Sequence, residues 1–236
     1  MKLNNYFKNE PDSYTYLEKK LEISIEEFNK SIQEKNIDSH TQIKQAYLYA
    51  NRLEIFISFF LSKKKLNFLD CGCGMGFIAR ELKNLSNHNI HYCDPSTSVK
   101  KIHEKIFPKE NFFQSDIENL VNHKKKFDLI YLREVYPFTR DNNFNNQKRL
   151  INILNNLLNE KGVMIFEQIK NKEDLFDNLE KFNLRYKIIF LLPIKLSKKK
   201  LLNQIFFKSN LCQFLLKFIY KIFRKKINNF IIIYKF

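Results

Sequence analysis

Apolar residues recur along this chain with two periods, and the changes between them mark out its elements. Tyr14, Leu17, Leu21, Ile25, Phe28 and Ile32 follow at steps of three or four, which predicts an amphipathic helix or pair of helices over Asp12–Lys35 with Asp12 and Ser13 as caps. Ile43, Ala46, Tyr47, Ala50, Leu53, Ile57 and Phe60 carry the helical period through Thr41–Leu61. Short apolar runs then take over, and Leu66–Leu69, Asn89–Cys93, Asn111–Phe113, Phe127–Leu132, Val163–Phe166, Leu184–Leu192 and Phe230–Tyr234 read as seven strands. Helical periods separate them: Phe77, Ile78 and Leu82; then Val99, Ile102, His103 and Ile106 within Ser96–Phe107, ended by Pro108; then Leu150, Ile153, Leu154, Leu157 and Leu158 within Asn145–Asn159. Strand and helix in alternation predict an α/β fold with a mostly parallel sheet. Before the last strand, Ser197–Lys226 places Phe207, Leu211, Phe214, Leu215, Phe218, Ile219 and Ile222 on a broad apolar helical face, with Lys208, Lys217, Lys221 and Arg224 at other angles.

The turn after the first strand changes the picture from architecture to chemistry. The chain has only four glycines, and Gly72, Gly74 and Gly76 fall within five residues of one another. Glycine admits backbone angles that a Cβ forbids and lets a ligand approach the main chain. The helix that follows offers amide donors and a positive dipole end, while Asp70 at the strand end offers an acceptor for a cationic or hydroxylic group. The spacing Asp-x-Gly-x-Gly-x-Gly has its third glycine one place early for the dinucleotide fingerprint.

This stretch, Leu66–Arg80, resembles motif I of the class I S-adenosylmethionine-dependent methyltransferases. The resemblance runs well over Leu66–Glu167 and implies a Rossmann-like, seven-stranded sheet flanked by helices. It also implies S-adenosylmethionine as cofactor, with Asp70, Gly72, Cys73 and Gly74 at its amino-acid end and Gly76 also in the cofactor site. Asp94, in Asp94-Pro95 after the second strand, stands where a carboxylate accepts from ribose hydroxyls; taken alone, Asp-Pro is only a turn signal. Asp116 resembles the family's acceptor for the adenine amino group, with Ile117 completing the pocket, and it can equally cap a helix over Ile117–His123. One domain over 1–236 is expected: N-terminal helices 1–65, a cofactor-binding core 66–196, a basic amphipathic insertion 197–228 and the last strand 229–236.

The loop Arg133–Arg140 follows the fourth strand, where open α/β sheets gather their chemistry. Arg133 joins the candidate cofactor site there, and Arg133 with Arg140 suits an anionic acceptor. Glu134 and Tyr136 are the candidate catalytic residues. Glu134 is either a base for a hydroxyl acceptor or a surface carboxylate paired with Arg133. Tyr131, Tyr136 and Arg140 can orient an acceptor. Related enzymes often carry a histidine here and this chain does not, which counts against a histidine base. No Asn-Pro-Pro-Tyr or Asp-Pro-Pro-Tyr follows, which disfavours methylation of a nucleobase amino group. No metal-ligand cluster stands out, so no metal is expected. Tyr47, Tyr49 and Arg52 either line the site or divide into core tyrosines and a solvated arginine.

Charge adds a second theme. The net charge is +16, the last acidic residue is Glu180, and the fourteen Lys and Arg from Lys181 onward leave only +2 for the first 180 residues. The basic end points to an anionic substrate or surface. Its apolar helix face either covers the sheet or lies in a membrane interface through 197–226, and the uncharged run is too short to span. The four cysteines have neither disulfide nor zinc spacing and the N-terminus has no signal-peptide core, so a cytoplasmic protein is expected, peripheral at the inner membrane surface only on the second of those two readings of the helix face. The expected reaction is O-methyl transfer to a small molecule or a carbohydrate such as a surface-glycan precursor. RNA methylation, with the basic segment tracking phosphates, and a non-catalytic cofactor-binding adaptor are the rival readings.

Overall fold

The computed structural model describes residues 39–61, 65–74, 76–106, 111–136, 138, 143–168, 172–191, 200–222 and 229–235. The helix expected over Asp12–Lys35 lies outside them, as does Arg140. Helix α1 (Ser39–Phe60) leads to β1 (Asn67–Cys71), α2 (Phe77–Leu85), β2 (Asn89–Cys93), α3 (Thr97–Ile106), β3 (Asn111–Phe113) and a 3-10 turn over Glu118–Asn122. Then come β4 (Phe127–Arg133), α4 (Phe144–Asn156), β5 (Leu158–Gln168), α5 (Lys172–Lys181), β6 (Tyr186–Phe190), α6 (Lys200–Lys208), α7 (Asn210–Ile222) and β7 (Asn229–Tyr234).

The seven strands form one sheet in the order β3-β2-β1-β4-β5-β7-β6. Only β7 runs antiparallel, hydrogen-bonded between β5 and β6. The winding reverses between β1 and β4, which leaves a crevice at the carboxyl ends of those strands. Strand alternation feeds two cores. Leu69, Ile130, Leu132 and Phe166 pack beneath Leu150 and Leu154 of α4 and Leu175 and Leu179 of α5. Phe68, Leu129, Tyr131 and Ile165 face the other way, beneath Leu53 and Phe56 of α1 and Ala79 and Leu82 of α2. Burial on both faces is why the central strands read as nearly continuous apolar runs.

The structure departs from the sequence reading at several places, among them helix α5, which the apolar periods did not mark. α4 stops at Asn156 rather than Asn159, because Leu158 already pairs with Phe127 across a register shift and β5 starts early. Glu167, expected just beyond the fifth strand, sits inside it and pairs with Arg133 of β4 in the register. Arg52 is not solvated but wholly buried. It sits on the sheet-facing side of α1 with Tyr49, Leu53 and Phe56, and its guanidinium donates to the Glu167 carboxylate. Tyr131 donates its hydroxyl to the other Glu167 oxygen.

The basic insertion is also more divided than its periodicity suggests. Ser209 separates two helices: its amide closes α6 onto Ile205, and its hydroxyl accepts from the Cys212 amide at 3.2 Å to open α7. Phe207 of α6 enters the core beside Phe56, while Leu216 of α7 packs on Phe190 at the sheet edge. Much of the remaining apolar face of α7 stays exposed.

Candidate active site

A cavity of about 550 Å³ opens at the carboxyl ends of β1, β2 and β4. Gly72, Gly74, Asp94, Pro95, Asp116, Ile117, Arg133, Glu134 and Tyr136 line it. A smaller cavity of about 50 Å³ lies against Asp70, Gly72, Cys73, Gly74, Tyr131 and Arg133, so the two share the glycine loop and Arg133. Residues spread over more than sixty positions of sequence thus meet because three strands end together.

The loop is held open by its own backbone. Gly72 has φ +71°, and a Cβ there would lie 2.7 Å from Val135 Cγ2. The amides of Gly72 and Cys73 both donate to the Cys93 carbonyl, at 2.8 and 3.0 Å. Asp94 locks the other side: its Oδ2 accepts from the Gly74 amide at 3.1 Å and its Oδ1 from the Ser96 amide at 3.0 Å. Gly76 lines neither cavity. It starts α2 at φ 73°, and the space beside it is filled by Tyr92 and His103, with Tyr92 3.0 Å from a built Cβ.

Asp70 is the chemically unusual group. Burial, with the Asp94 charge adding to it and Arg133 opposing, raises its pKa from 3.8 to about 7. A cation entering the smaller cavity would restore its charge. Arg133 stays protonated: burial works against its charge, but Tyr49, Tyr131 and Glu167 together hold its pKa above the ordinary value. Its guanidinium lies 4.2 Å from the centre of the Tyr49 ring, which brings α1 over the site. Burial and the Glu167 charge hold the Tyr131 hydroxyl in its neutral form, and that hydroxyl belongs to Glu167 rather than to the larger cavity.

Glu134 is half-buried at φ 52°, a left-handed conformation that costs a non-glycine residue about 1–2 kcal/mol. Its amide donates to the Glu167 carbonyl at 3.2 Å, so the β4–β5 pairing holds the turn that brings Glu134 to the cavity wall. Tyr136 sits at the rim, 64% exposed. Asp116 lines the cavity, and its Oδ1 accepts from the Asn119 amide at 2.8 Å, which caps the 3-10 turn.

Sequence reasoning missed part of this wall. Ser96, Val99, Ser115, Glu118, Val135, Asn146 and Leu150 also line the large cavity. The Arg52–Glu167–Tyr131 network behind the smaller one was missed too, although an arginine in step with the apolar residues of α1 was a usable signal. The cysteines are free thiols. Cys71 faces Cys93 in the β1–β2 register; its hydrogen-bonded neighbour Cys93 and burial push its pKa well up, so it is packing rather than nucleophile.

A family model described as a methyltransferase domain matches residues 62–210. Malonyl-[acyl-carrier protein] O-methyltransferase 1 of Ilyobacter polytropus is 35% identical over 142 residues, which is 58% of this chain and 49% of that protein. The second enzyme of that name in the same organism is 33% identical over 121 residues, 50% of this chain and 44% of its own. The chain therefore spans about half the length of the curated relatives it matches. Among solved structures, the plantazolicin methyltransferase BpumL in complex with SAH superposes with a TM-score of 0.58 at 18% identity, covering 95% of this chain and 98% of that one. That likeness is one of fold.

Proposed function

Because the chain belongs to the methyltransferase-domain family, whose model covers residues 62–210, we propose that it transfers a methyl group from S-adenosylmethionine to an oxygen of a small acceptor. The observation that carries this reading is the paired cavity. Asp70 lines the smaller cavity and Asp94 and Asp116 the larger one, at the ends of consecutive strands or just after them. In this reading Asp70 and the loop Gly72–Gly74 meet the ammonium end, Asp94 and Pro95 the ribose, and Asp116 with Ile117 the base. Gly76 serves the loop from beneath. The last strand is paired between β5 and β6, which supports treating it as part of the same sheet-built unit as the cofactor-binding core.

S-adenosylmethionine, when bound, supplies an electrophilic methyl carbon on a positively charged sulfur. The chain's own part is to align the acceptor oxygen with that carbon and to exclude water. Val135 and Tyr136 stand over the loop and the rim for that purpose, and Arg133 offers a fixed positive charge to an anionic acceptor. A carboxylate acceptor needs no proton removed, whereas a hydroxyl acceptor needs a base, and Glu134, one of four carboxylates on the cavity wall, is the one in the loop after β4. The malonyl-carrier O-methyltransferases among the relatives support an acyl carboxylate as the first acceptor class, and sugar hydroxyls are the second.

Calorimetry with S-adenosylmethionine tests the cofactor: micromolar binding, about −8 kcal/mol, is expected, and Asp94→Ala should weaken it. An acceptor screen then separates the classes. Turnover of a short acyl carboxylate that survives Glu134→Gln supports the first; a drop of about 10²–10⁴ in kcat with a sugar acceptor assigns Glu134 as base. Cofactor binding without turnover of either class would leave an adaptor, and absence of cofactor binding would overturn the proposal.

A further inference from the structure

One helix, α7, lines neither of the two cavities. α7 is fixed to the edge strand β6 along a single side. The Gln213 side chain accepts from the Phe190 amide at 2.9 Å and donates to the Phe190 and Phe206 carbonyls at 3.1 and 3.0 Å. Leu216 is buried against Phe190 on the same side. At 100° per residue, the opposite arc of the helix holds Leu211, Phe214, Leu215 and Phe218, which are 67, 65, 49 and 56% exposed. Their spacing of i, i+3, i+4 and i+7 makes one stripe rather than scattered apolar residues, and no polar residue falls within the arc they span.

The segment that bears the stripe carries charge of one sign. Lys217 in α7 and Lys208 at the end of α6 are exposed, and the chain from Lys181 to its end holds fourteen Lys and Arg with no Asp or Glu. We propose that α7 docks the protein on an anionic lipid bilayer, with the four side chains entering the acyl boundary and the surrounding cations meeting headgroup phosphates. The inference is independent of the methyl-transfer reading. No helix among the described residues is long and apolar enough to cross a membrane, so the contact is peripheral. Pairing of two copies through this face would bring together two segments of like charge. A protein partner would need hydrogen-bonding groups that the arc does not offer, since protein interfaces carry about one hydrogen bond per 100–200 Å². RNA would take the cations and leave the leucines in water.

The test is co-sedimentation of the full chain with phosphatidylcholine vesicles, with and without phosphatidylglycerol. Binding to the anionic vesicles is expected, about tenfold or more tighter than to the neutral ones. The double variant Phe214→Ser, Phe218→Ser should bind anionic vesicles about tenfold or more weakly, with an unchanged melting temperature because both rings are already exposed. Lys208→Gln with Lys217→Gln gives a second, milder variant that should weaken binding and flatten its salt dependence. Equal partition of wild type and the double variant would overturn the proposal. So would stripe-dependent dimerisation, or retention on RNA or an acidic protein, in the absence of vesicle binding.

Discussion

Asp70 is the residue whose chemistry should be most visible in solution. Its pKa of about 7 belongs to a buried carboxyl beside Asp94, and an entering ammonium would favour the ionised form. Binding of S-adenosylmethionine should therefore release a proton near neutral pH, and affinity should fall by up to about tenfold per pH unit below 7. Calorimetry in two buffers of different ionisation enthalpy reads this directly, and an identical observed enthalpy in both would refute it. Asp70→Asn should bind more weakly and lose the pH dependence. Gly72 gives a second prediction at this scale. Gly72→Ala combines a left-handed backbone, about 1–2 kcal/mol for any side chain, with a Cβ 2.7 Å from Val135. The variant should melt at lower temperature and bind cofactor at least tenfold more weakly. Asp70 and the glycines were legible in sequence because their spacing is a local property of one turn. The shifted pKa was not, since Asp94, Arg133 and the burial that cause it come from other strands.

At the scale of elements, the joint between α1 and the sheet is a buried ion pair. Arg52 and Glu167 come from α1 and β5, 115 residues apart, and Tyr131 of β4 shares the carboxylate. Removing one partner strands the other charge in the core, so Arg52→Met should lower unfolding free energy by about 3–5 kcal/mol. The double variant Arg52→Met, Glu167→Leu should recover much of that loss, and denaturant titration of the three proteins checks the cycle. An equal or greater loss in the double variant would mean that the pair is not the joint. Because Tyr49 of the same helix lies on Arg133, Arg52→Met should also weaken cofactor binding beyond its effect on stability. The helix itself was predictable from its period. What its arginine does depends on a strand that the period cannot see.

For the whole molecule, stability should depend on pH through two buried histidines. Burial, with Lys125 and His123 nearby, lowers His91 from 6.5 to about 4, and burial with Arg80 nearby does the same to His103. The unfolded chain takes up these protons first, so stability is retained above about pH 6.5 and lost as pH falls from there towards 4. Asp70 works in the opposite sense, because its folded pKa is raised and its contribution declines as pH rises from 3.8 towards 7. His91→Leu isolates one term: the acid loss should be shallower than in the wild type, and parallel melting curves from pH 7 to 4 would exclude a role for His91. The sequence by itself determined the seven strands, the glycine turn, the three aspartates and the cationic end, because each is written in local periodicity, spacing or composition. Only the tertiary structure decided which side of α7 is held by Gln213 and Leu216 and which is left bare, that Arg52 is internal, and that the carboxyl ends of β1, β2 and β4 line two cavities sharing Gly72, Gly74 and Arg133. Those outcomes depend on which distant surfaces meet, and a one-dimensional pattern specifies the faces available for burial without specifying their partners.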